Sequence, residues 1–300
     1  MGNCLEQFKK SPSGNIEDSS DEHNDDLENS NSLLIFPTEH SRYDTHYKMN
    51  GKLRGLTLIF NHENFDNEDL APRKGTERDV EKIANTFRAL GFQIHCYNDL
   101  TLNELRDLIQ DYVKQDYYHN LRDCLVIFIL THGHNDDLWA KDTTYDPQVE
   151  IVENFTNDKC PSFAGKPKLI FIQACKGEIV QRGVKLQMRP NRTSFDGLTF
   201  YEYPTHADFL IVHATSKKHY AFRNEEKGSF FVTVLCEELS QRHQNTDLLA
   251  ILIGVNRRMA IEFSSSNSDI TKHGGKQAPY FESSLTRLIL FGHGSNSPDN

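Results

Sequence analysis

The sequence contains Lys168-Leu169-Ile170-Phe171-Ile172-Gln173-Ala174-Cys175-Lys176-Gly177, the stretch from which the interpretation of the whole chain starts. Residues 168–172 form a short apolar run of the kind that makes a buried strand. A thiol, Cys175, follows this run directly after Gln173 and Ala174. In α/β proteins the functional groups lie beyond the carboxyl ends of the strands. The stretch therefore predicts a buried strand with a reactive group at its end.

A second apolar run, Cys124–Thr131, ends immediately before His132 and Gly133. If both runs are parallel strands of one sheet, the imidazole and the thiol lie at the same edge. An imidazole next to a thiol favours the nucleophilic thiolate and protonates a leaving amine. The N–H groups of Gly133 and Cys175 are the natural donors to a developing oxyanion. We therefore predict that Cys175, His132 and Gly133 are catalytic.

Apolar runs alternate with helical periodicity from Gly55 onward. Thr76 with Asp79, and Thr101 with Glu104, have the spacing of helix caps. The alternation predicts an α/β fold with a mainly parallel six-stranded sheet and helices on both faces. Strands are expected near residues 55–61, 92–97, 124–131, 168–174, 208–214 and 285–291, and helices near 76–90, 101–117, 147–155, 229–242 and 246–263.

Composition excludes several classes of protein. The chain has 300 residues, is 37% hydrophobic and carries a formal net charge of -10, which argues against a nucleic-acid binder. No apolar stretch approaches the roughly 18 residues of a membrane span. The six cysteines are scattered without C-x-x-C pairs, and no secretory signal opens the chain. We expect a cytoplasmic protein with reduced thiols and without a metal or cofactor.

Two segments lack the pattern of folded structure. Residues 1–44 are rich in Ser, Asn, Asp and Glu, so they bury too little apolar surface to fold and are expected to be disordered. Gly2 and Cys4 have the form of a lipidation site, but Glu6 departs from the motif, so lipidation stays open. Residues 178–207 have no periodicity and are too long for an ordinary connection, which indicates an exposed loop around Asp196.

Together these residues resemble the caspase family over residues 53–291. Gln-Ala-Cys-x-Gly is a known signature around the caspase nucleophile, although Lys176 stands where the signature has Arg, Gln or Gly. The short N-terminal segment is similar to that of executioner caspases, and the type is insect-like. The other segments that carry the resemblance are Arg73-Lys74-Gly75-Thr76, Gly165-Lys166-Pro167-Lys168-Leu169, Tyr220-Ala221-Phe222-Arg223-Asn224 and Val255-Asn256-Arg257-Arg258.

The resemblance implies a cysteine endopeptidase that cleaves proteins after Asp and acts in apoptosis. It implies that the substrate Asp lies in a pocket formed by Arg73, Gln173 and Arg223, and guanidinium groups suit a carboxylate because they bind it bidentately. A backbone carbonyl of Ala71 or Pro72 is expected to orient His132. The remaining implied contacts are Tyr220 and Phe222 at the next subsite, Phe230 at a more distant one, and Asn224 with an acidic residue three before the scissile Asp.

The resemblance also implies a zymogen activated by cleavage at Asp196. The products would be a large subunit, residues 45–196, and a small subunit, residues 197–300, after a prodomain of residues 1–44. The expected partners are a second copy in a homodimer of such pairs, with Leu285–Phe291 at its two-fold interface, an upstream initiator protease and inhibitor proteins. Prodomain removal after Asp21, Asp25, Asp26 or Asp44 is left open.

Two departures from the family limit these expectations. Lys176 lacks the planar fork of Arg, so we expect the loop after the nucleophile to be held less firmly. The loop Ser264–Asp269 and the region near Lys272 lack the aromatic residues of executioner relatives, so preference at distal subsites is open.

Two alternatives differ in class from an Asp-specific protease. A catalytically weak homologue that regulates an active partner by binding is disfavoured because the Cys, the His and both arginines are retained. A thiol-dependent hydrolase without Asp specificity would leave Arg73 and Arg223 unexplained.

Overall fold

A computed structural model describes residues 43–51, 53–115, 119–134, 136–176, 204–216, 219–266 and 273–292. The chain divides into two compact units, Met1–Pro37 and Thr38–Asn300, and every described residue belongs to the second. Asp44 lies within the described residues. The predicted features at Gly2, Cys4, Asp21, Asp25, Asp26 and Asp196, and most of the loops at 178–207 and 264–272, lie outside them.

Helices follow each of the first two main strands, as the sequence predicts, and short strands interrupt this alternation later in the chain. In chain order the strands are β1 (Leu53–Asn61), β2 (Phe92–Asn98), β3 (Arg122–Leu130), β4 (Gly133–His134), β5 (Asp137–Trp139), β6 (Thr144–Tyr145), β7 (Lys168–Gln173), β8 (Phe209–His213), β9 (Arg223–Asn224), β10 (Gly228–Ser229) and β11 (Tyr280–Ser283). The helices are α1 (Thr76–Ala89), α2 (Leu102–Val113), α3 (Pro147–Glu150), α4 (Phe230–Arg242) and α5 (Leu248–Glu262), with 3-10 turns at Val152–Phe155 and Pro161–Phe163.

A six-stranded sheet in the order β11-β8-β7-β3-β1-β2 forms the centre of the fold. Its strands pair in parallel except for β11, which is antiparallel to β8. This architecture confirms the predicted α/β fold with a mainly parallel sheet. Small hairpins, β4-β5-β6 and β9-β10, lie outside the sheet.

Both faces of the sheet are covered, which explains why the inner strands β1, β3, β7 and β8 read as continuous apolar runs. Because side chains alternate along a strand, Ile59, Phe128 and Phe171 enter one hydrophobic cluster with side chains of α1, α4 and α5. Ile127 and Ile170 enter a second cluster with side chains of α2 and the two 3-10 turns. The core therefore consists of two layers, one on each side of the sheet.

The prediction of a strand at 285–291 is wrong, because the sixth strand is β11 at Tyr280–Ser283. The backbone groups of Ile289 are bound elsewhere: its N–H donates to Asp247 and its carbonyl accepts from the N–H of Leu248, at the start of α5. Leu288 instead bridges to the segment around Tyr47. Ile289 and Phe291 are buried, whereas Leu288 is 43% exposed, and the run does not join the sheet.

Three helix predictions also need correction. The helix predicted at 101–117 ends at Val113, and the one predicted at 147–155 is divided into α3 and a 3-10 turn. The capping box of Thr101 and Glu104 is confirmed. Thr76, however, is not the cap of α1, because Gly75 occupies that position with φ 84°.

No helix in the described part of the chain combines the length and the apolar character needed to cross a membrane. Five of the cysteines fall within that part, and all of them are free thiols: Cys96, Cys124, Cys160, Cys175 and Cys236.

The Asp247 carboxylate carries two functions that a pair of variants separates. One oxygen caps α5 by accepting the N–H of Leu249 at 2.9 Å, and the other accepts the N–H of Ile289 at 2.9 Å. We expect Asp247→Ala to lower the free energy of unfolding by about 2–3 kcal/mol, because both contacts are lost. Asp247→Ser keeps a capping oxygen and should cost about 1 kcal/mol, because only the Ile289 contact is lost. Urea unfolding measures both, and equal losses would contradict this division.

Candidate active site

The register of β3 and β7 places His132 and Cys175 at equivalent positions beyond neighbouring strands. Leu130 pairs with Gln173, and His132 and Cys175 each lie two residues further along the chain. Neighbouring strands run about 4.8 Å apart. A Cβ added at Gly133 would lie 2.5 Å from the carbonyl oxygen of Cys175, so this close approach requires glycine. The structure therefore brings the three predicted catalytic residues together.

The N–H of Gly133 is directed away from the adjacent hairpin strand. Gly133 pairs with Leu138 in the antiparallel β4-β5 hairpin, while the preceding carbonyl, that of His132, accepts the N–H of Trp139 at 3.0 Å. Hydrogen-bonded and non-hydrogen-bonded pairs alternate along such a hairpin, so Gly133 occupies a non-hydrogen-bonded position. Its N–H is consequently available on the side of Cys175.

The thiol of Cys175 is partly exposed and contacts the segment before β9. The N–H of Ala221 donates toward Sγ at 3.4 Å, and the carbonyl oxygen of Ala221 lies 3.6 Å from Sγ. An N–H directed at sulfur stabilises a thiolate, and a carbonyl oxygen accepts the proton of a neutral thiol. Both protonation states of Cys175 therefore have a partner in Ala221.

His132 is oriented by one backbone carbonyl and covered by one aromatic ring. Its Nε2 lies 2.8 Å from the carbonyl oxygen of Ala71, which selects Ala71 from the two expected residues. Since a carbonyl only accepts, Nε2 carries the hydrogen and Nδ1 remains the proton acceptor. The ring of Phe65 packs at 5.0 Å between centroids. Burial lowers the pKa of His132, and the positive charges of Arg73 and Arg223 lower it further, while the Ala71 contact opposes them.

Arg73 and Arg223 approach the same region from different elements. Arg73 is 1% exposed, and its guanidinium donates to the carbonyl of His62 at 2.8 Å and to Oγ1 of Thr76 at 3.0 Å. Arg223 donates from Nε to the carbonyl of Lys74 at 3.0 Å. Within the described residues, neither arginine has a carboxylate oxygen within 4 Å of a guanidinium nitrogen.

The electrostatics of the two arginines connect them to each other and to the thiol. Burial lowers the pKa of Arg73 to about 9, and the charge of Arg223 is the next cause of that lowering. Burial also lowers the pKa of Arg223, and negative charge on Cys175 raises the pKa of both groups. Oε1 of Gln173 is buried and has no hydrogen-bond partner in the described part of the chain. Arg73 and Arg223 thus lie close enough to each other and to Cys175 for their charges to interact, and Gln173, two residues before Cys175, has an unused acceptor.

The three predicted aromatic residues lie together, joined by a fourth that sequence analysis missed. Tyr220 contacts Phe222 at 5.6 Å between ring centroids. Phe263, at the end of α5, contacts Phe222 at 5.5 Å and Phe230 at 5.1 Å. Phe263 escaped prediction because it ends an apolar helix, where its periodicity indicates only core packing.

Asn224 lies exposed on the β9-β10 hairpin. Its Oδ1 accepts the N–H groups of Glu226 and Lys227, both at 2.9 Å, and so fixes the hairpin turn. Among the residues that the structure describes, the Nδ2 group makes no hydrogen bond. Its donors are directed by the turn and remain free to bind an acceptor from outside the chain.

Gln277 is a second residue that sequence analysis missed. It is buried, its Oε1 accepts the N–H of Phe222 at 2.9 Å, and its Nε2 donates to the carbonyl of Ala214 at 2.7 Å. Gln277 thereby fixes the segment that contacts Cys175. A single polar residue outside any periodic element gives no signal of such a contact in a sequence.

Lys176 is buried and bonded on two sides. Its Nζ donates to the hydroxyl of Tyr280 at 2.8 Å and to Asp136 at 3.3 Å, and it lies 5.3 Å from the centre of the Tyr280 ring. Its backbone N–H donates to the carbonyl of His219 at 3.0 Å. The ammonium group therefore connects the residue after Cys175 to β11 and to the β4-β5 turn, despite lacking the fork of Arg.

Comparison with known proteins agrees with this geometry. The family model described as Caspase domain matches residues 54–290. Caspase-1 of Spodoptera frugiperda is 42% identical over 250 residues, which cover 82% of this chain and 81% of that protein. Caspase drICE of Drosophila melanogaster is 38% identical over 251 residues, covering 83% of this chain and 73% of that protein.

A solved structure gives the same result. The crystal structure of Caspase-1 from Spodoptera frugiperda superposes with a TM-score of 0.80 at 38% sequence identity, covering 88% of this chain and all of that one. The family match spans most of the sequence and includes both strands that lead to His132 and Cys175. The chain therefore belongs to the caspase family and is a caspase-type cysteine peptidase.

Proposed function

We propose that this peptidase cleaves proteins on the carboxyl side of Asp. The observation that carries the proposal is the pair of arginines beside Cys175, neither of which has a carboxylate partner within the described residues. A substrate Asp would supply that carboxylate, and guanidinium groups bind carboxylates bidentately. A neutral side chain would leave both charges uncompensated, which is the kind of misfit that polar sites reject strongly. Gln173 adds an amide to the same pocket.

The proposed reaction begins with Cys175 and His132. Nδ1 of His132 takes the thiol proton, and the sulfur attacks the main-chain carbonyl carbon of the substrate Asp. The N–H groups of Gly133 and Cys175 stabilise the resulting oxyanion. The tetrahedral intermediate then collapses, His132 transfers its proton to the leaving amine, and a thioester remains on Cys175. Water, deprotonated by His132, cleaves the thioester, releases the carboxylic acid and restores the thiol.

The aromatic residues and Asn224 are proposed to bind the substrate residues before Asp. Tyr220, Phe222 and Phe230 supply apolar surface beside the thiol, which suits extended peptide segments. The free Nδ2 donors of Asn224 suit an acidic residue three before the scissile Asp.

We further propose that the enzyme is a cytoplasmic zymogen that acts in apoptosis. Cleavage at Asp196 would separate a large subunit, residues 45–196, from a small one, residues 197–300. The processed enzyme would be a homodimer, supported by the position of β11 at the edge of the sheet among the described residues, since a sheet edge requires covering. An upstream initiator protease and inhibitor proteins complete the proposed partners.

Asp specificity predicts a large difference between two matched peptides. Processed wild-type enzyme should cleave a fluorogenic peptide ending in Asp on the order of 10⁴-fold more efficiently than the same peptide ending in Asn. Cys175→Ala should abolish turnover of both, because no nucleophile remains. The readout is kcat/KM for each peptide.

Either alternative function gives a different result in that assay. If the processed wild-type enzyme turns over neither peptide, the chain is a binding homologue and not an active protease. Equal turnover of the two peptides would instead contradict the binding of the substrate Asp by Arg73 and Arg223. It would not contradict the role of Cys175 as the nucleophile.

Processing at Asp196 predicts a defined pair of fragments. Wild-type chain should yield fragments that end at Asp196 and begin at Gly197, as measured by intact mass. Cys175→Ala should remain uncut until wild-type enzyme is added, because self-cleavage requires the thiol. Asp196→Ala should resist cleavage at this bond, and a boundary at another residue would refute the assignment.

The cover provided by Phe65 predicts a change in the pH profile. His132 has a lowered pKa, so its neutral, proton-accepting form persists below the ordinary histidine value of about 6.5. Phe65→Ala exposes the imidazole to water, which raises its pKa and moves the acidic limb of kcat/KM to higher pH. Phe65→Leu keeps an apolar cover and should leave the limb close to that of wild type. A limb unmoved by Phe65→Ala would mean that another group controls it.

A further inference from the structure

The proposed binding site for the substrate Asp contains Arg73 and Arg223, which together are called the arginine pocket. These two residues come from segments that are distant in the sequence. Arg73 precedes α1, whereas Arg223 belongs to the β9-β10 hairpin. The guanidinium of Arg223 reaches across to the carbonyl of Lys74. Two like charges in one pocket repel each other, so the hairpin needs contacts that hold it against α1.

Asp79 on α1 makes the most buried of these contacts. Its carboxylate is 0% exposed, and its two oxygens accept from the N–H of Ser229 at 2.7 Å and from the hydroxyl of Ser229 at 2.5 Å. Gly228 has φ 82°, and a Cβ there would collide with Oδ1 of Asp79. Ser229 pairs directly with Arg223 in the hairpin. The Asp79 carboxylate thus binds Ser229, the residue that lies opposite Arg223 in the hairpin.

The charge of Asp79 also acts on both arginines without binding either of them. Burial raises the pKa of Asp79, and this is opposed first by the Ser229 hydrogen bonds and then by Arg73. In turn, Asp79 is the leading group that favours the charged form of Arg223, and it favours that of Arg73 as well. No direct ion pair forms between these described residues. The guanidinium N–H groups that do not bind His62, Thr76 or Lys74 therefore remain available to a substrate carboxylate.

The hydroxyl of Ser229 is committed to Asp79 and not to the helix that follows. Ser229 is the N-cap residue of α4, yet its side chain makes no capping hydrogen bond. A serine at the N-cap position usually accepts a hydrogen bond from a backbone N–H of the first turn of its own helix. Replacing Ser229 by Ala therefore removes the hydroxyl contact with Asp79 without removing a cap of α4.

We propose that Asp79 is a positioning residue of the arginine pocket, which ties the hairpin to α1 through Ser229 and offsets the repulsion between Arg73 and Arg223. This inference rests on the proposed Asp specificity. It assigns Asp79 no contact with the substrate. Its effect is on how well two distant guanidinium groups are arranged before the substrate carboxylate binds.

Three variants of the full chain, processed in the same way, test the role. Asp79→Asn keeps an oxygen for the N–H of Ser229 but removes the charge. Ser229→Ala keeps the charge but removes the hydroxyl. Asp208→Asn is the matched control, because Asp208 is also 0% exposed and bonded to hydroxyls, those of Tyr47 and Thr286, but precedes β8 at the opposite end of the sheet.

Both pocket variants should raise KM for the Asp-ending peptide about tenfold with kcat within about twofold of wild type, since a hydrogen bond to a charged group is lost or weakened. Hydrogen exchange at residues 223–229 should be faster in both. Asp208→Asn should lower the thermal midpoint but leave KM and the exchange of residues 223–229 unchanged.

Several results would overturn the positioning role. If Asp79→Asn lowers KM, then Asp79 only competes electrostatically with the substrate. If KM and the hydrogen exchange of residues 223–229 match wild type in both pocket variants, then the contact between Asp79 and Ser229 does not hold the hairpin in position. If kcat falls while KM is unchanged, the effect is on the catalytic residues. Failure of Asp specificity itself is read separately, from the wild-type enzyme with the Asp-ending and Asn-ending peptides.

Discussion

The parallel pairing of β3 with β7 is the constraint on which the site depends. Because Leu130 and Gln173 are in register, the chain segments that follow them leave the sheet side by side, and His132 and Cys175 fall at matching positions. The requirement for glycine at position 133 follows from the same closeness. A slip by one residue in this pair would exchange the faces of every side chain on the strand. Catalytic geometry and core packing are therefore specified by a single set of hydrogen bonds.

The charges of Arg73 and Arg223 are maintained against the tendency of buried charges to be paired or neutralised. Arg73 is nearly inaccessible, and its hydrogen bonds go to a carbonyl and a hydroxyl. Such an arrangement lowers stability relative to an apolar core, and proteins retain it where function requires it. In this chain the surrounding elements, α1 and the β9-β10 hairpin, hold the charges in place. The buried charges at the site therefore lower the stability of the fold, and the packed core on both sides of the sheet offsets this loss.

Sequence patterns predicted the parts of this molecule that depend on local periodicity. The runs that became β1, β3 and β7 are buried on both faces, so their apolar character was unambiguous, and His132 and Cys175 were found from the ends of two of them. Two of the failures involve long-range contacts. Leu285–Phe291 is as apolar as a strand, but the Asp247 carboxylate binds its backbone. Asp79 has the spacing of a cap, but Ser229 binds it from a distant hairpin.

The connection between β7 and β8 has a topological consequence. These strands are direct neighbours in the sheet, and residues 174–208 join the end of one to the start of the other. The strand pairings in the described part of the sheet, and the packing of α1 against α4, are made by residues outside this connection, so a break within it would leave them in place. The two polypeptides would share one hydrophobic core, because both contribute side chains to it, and neither would have a complete core alone. Cleavage in this connection would give two polypeptides that remain together in one folded domain.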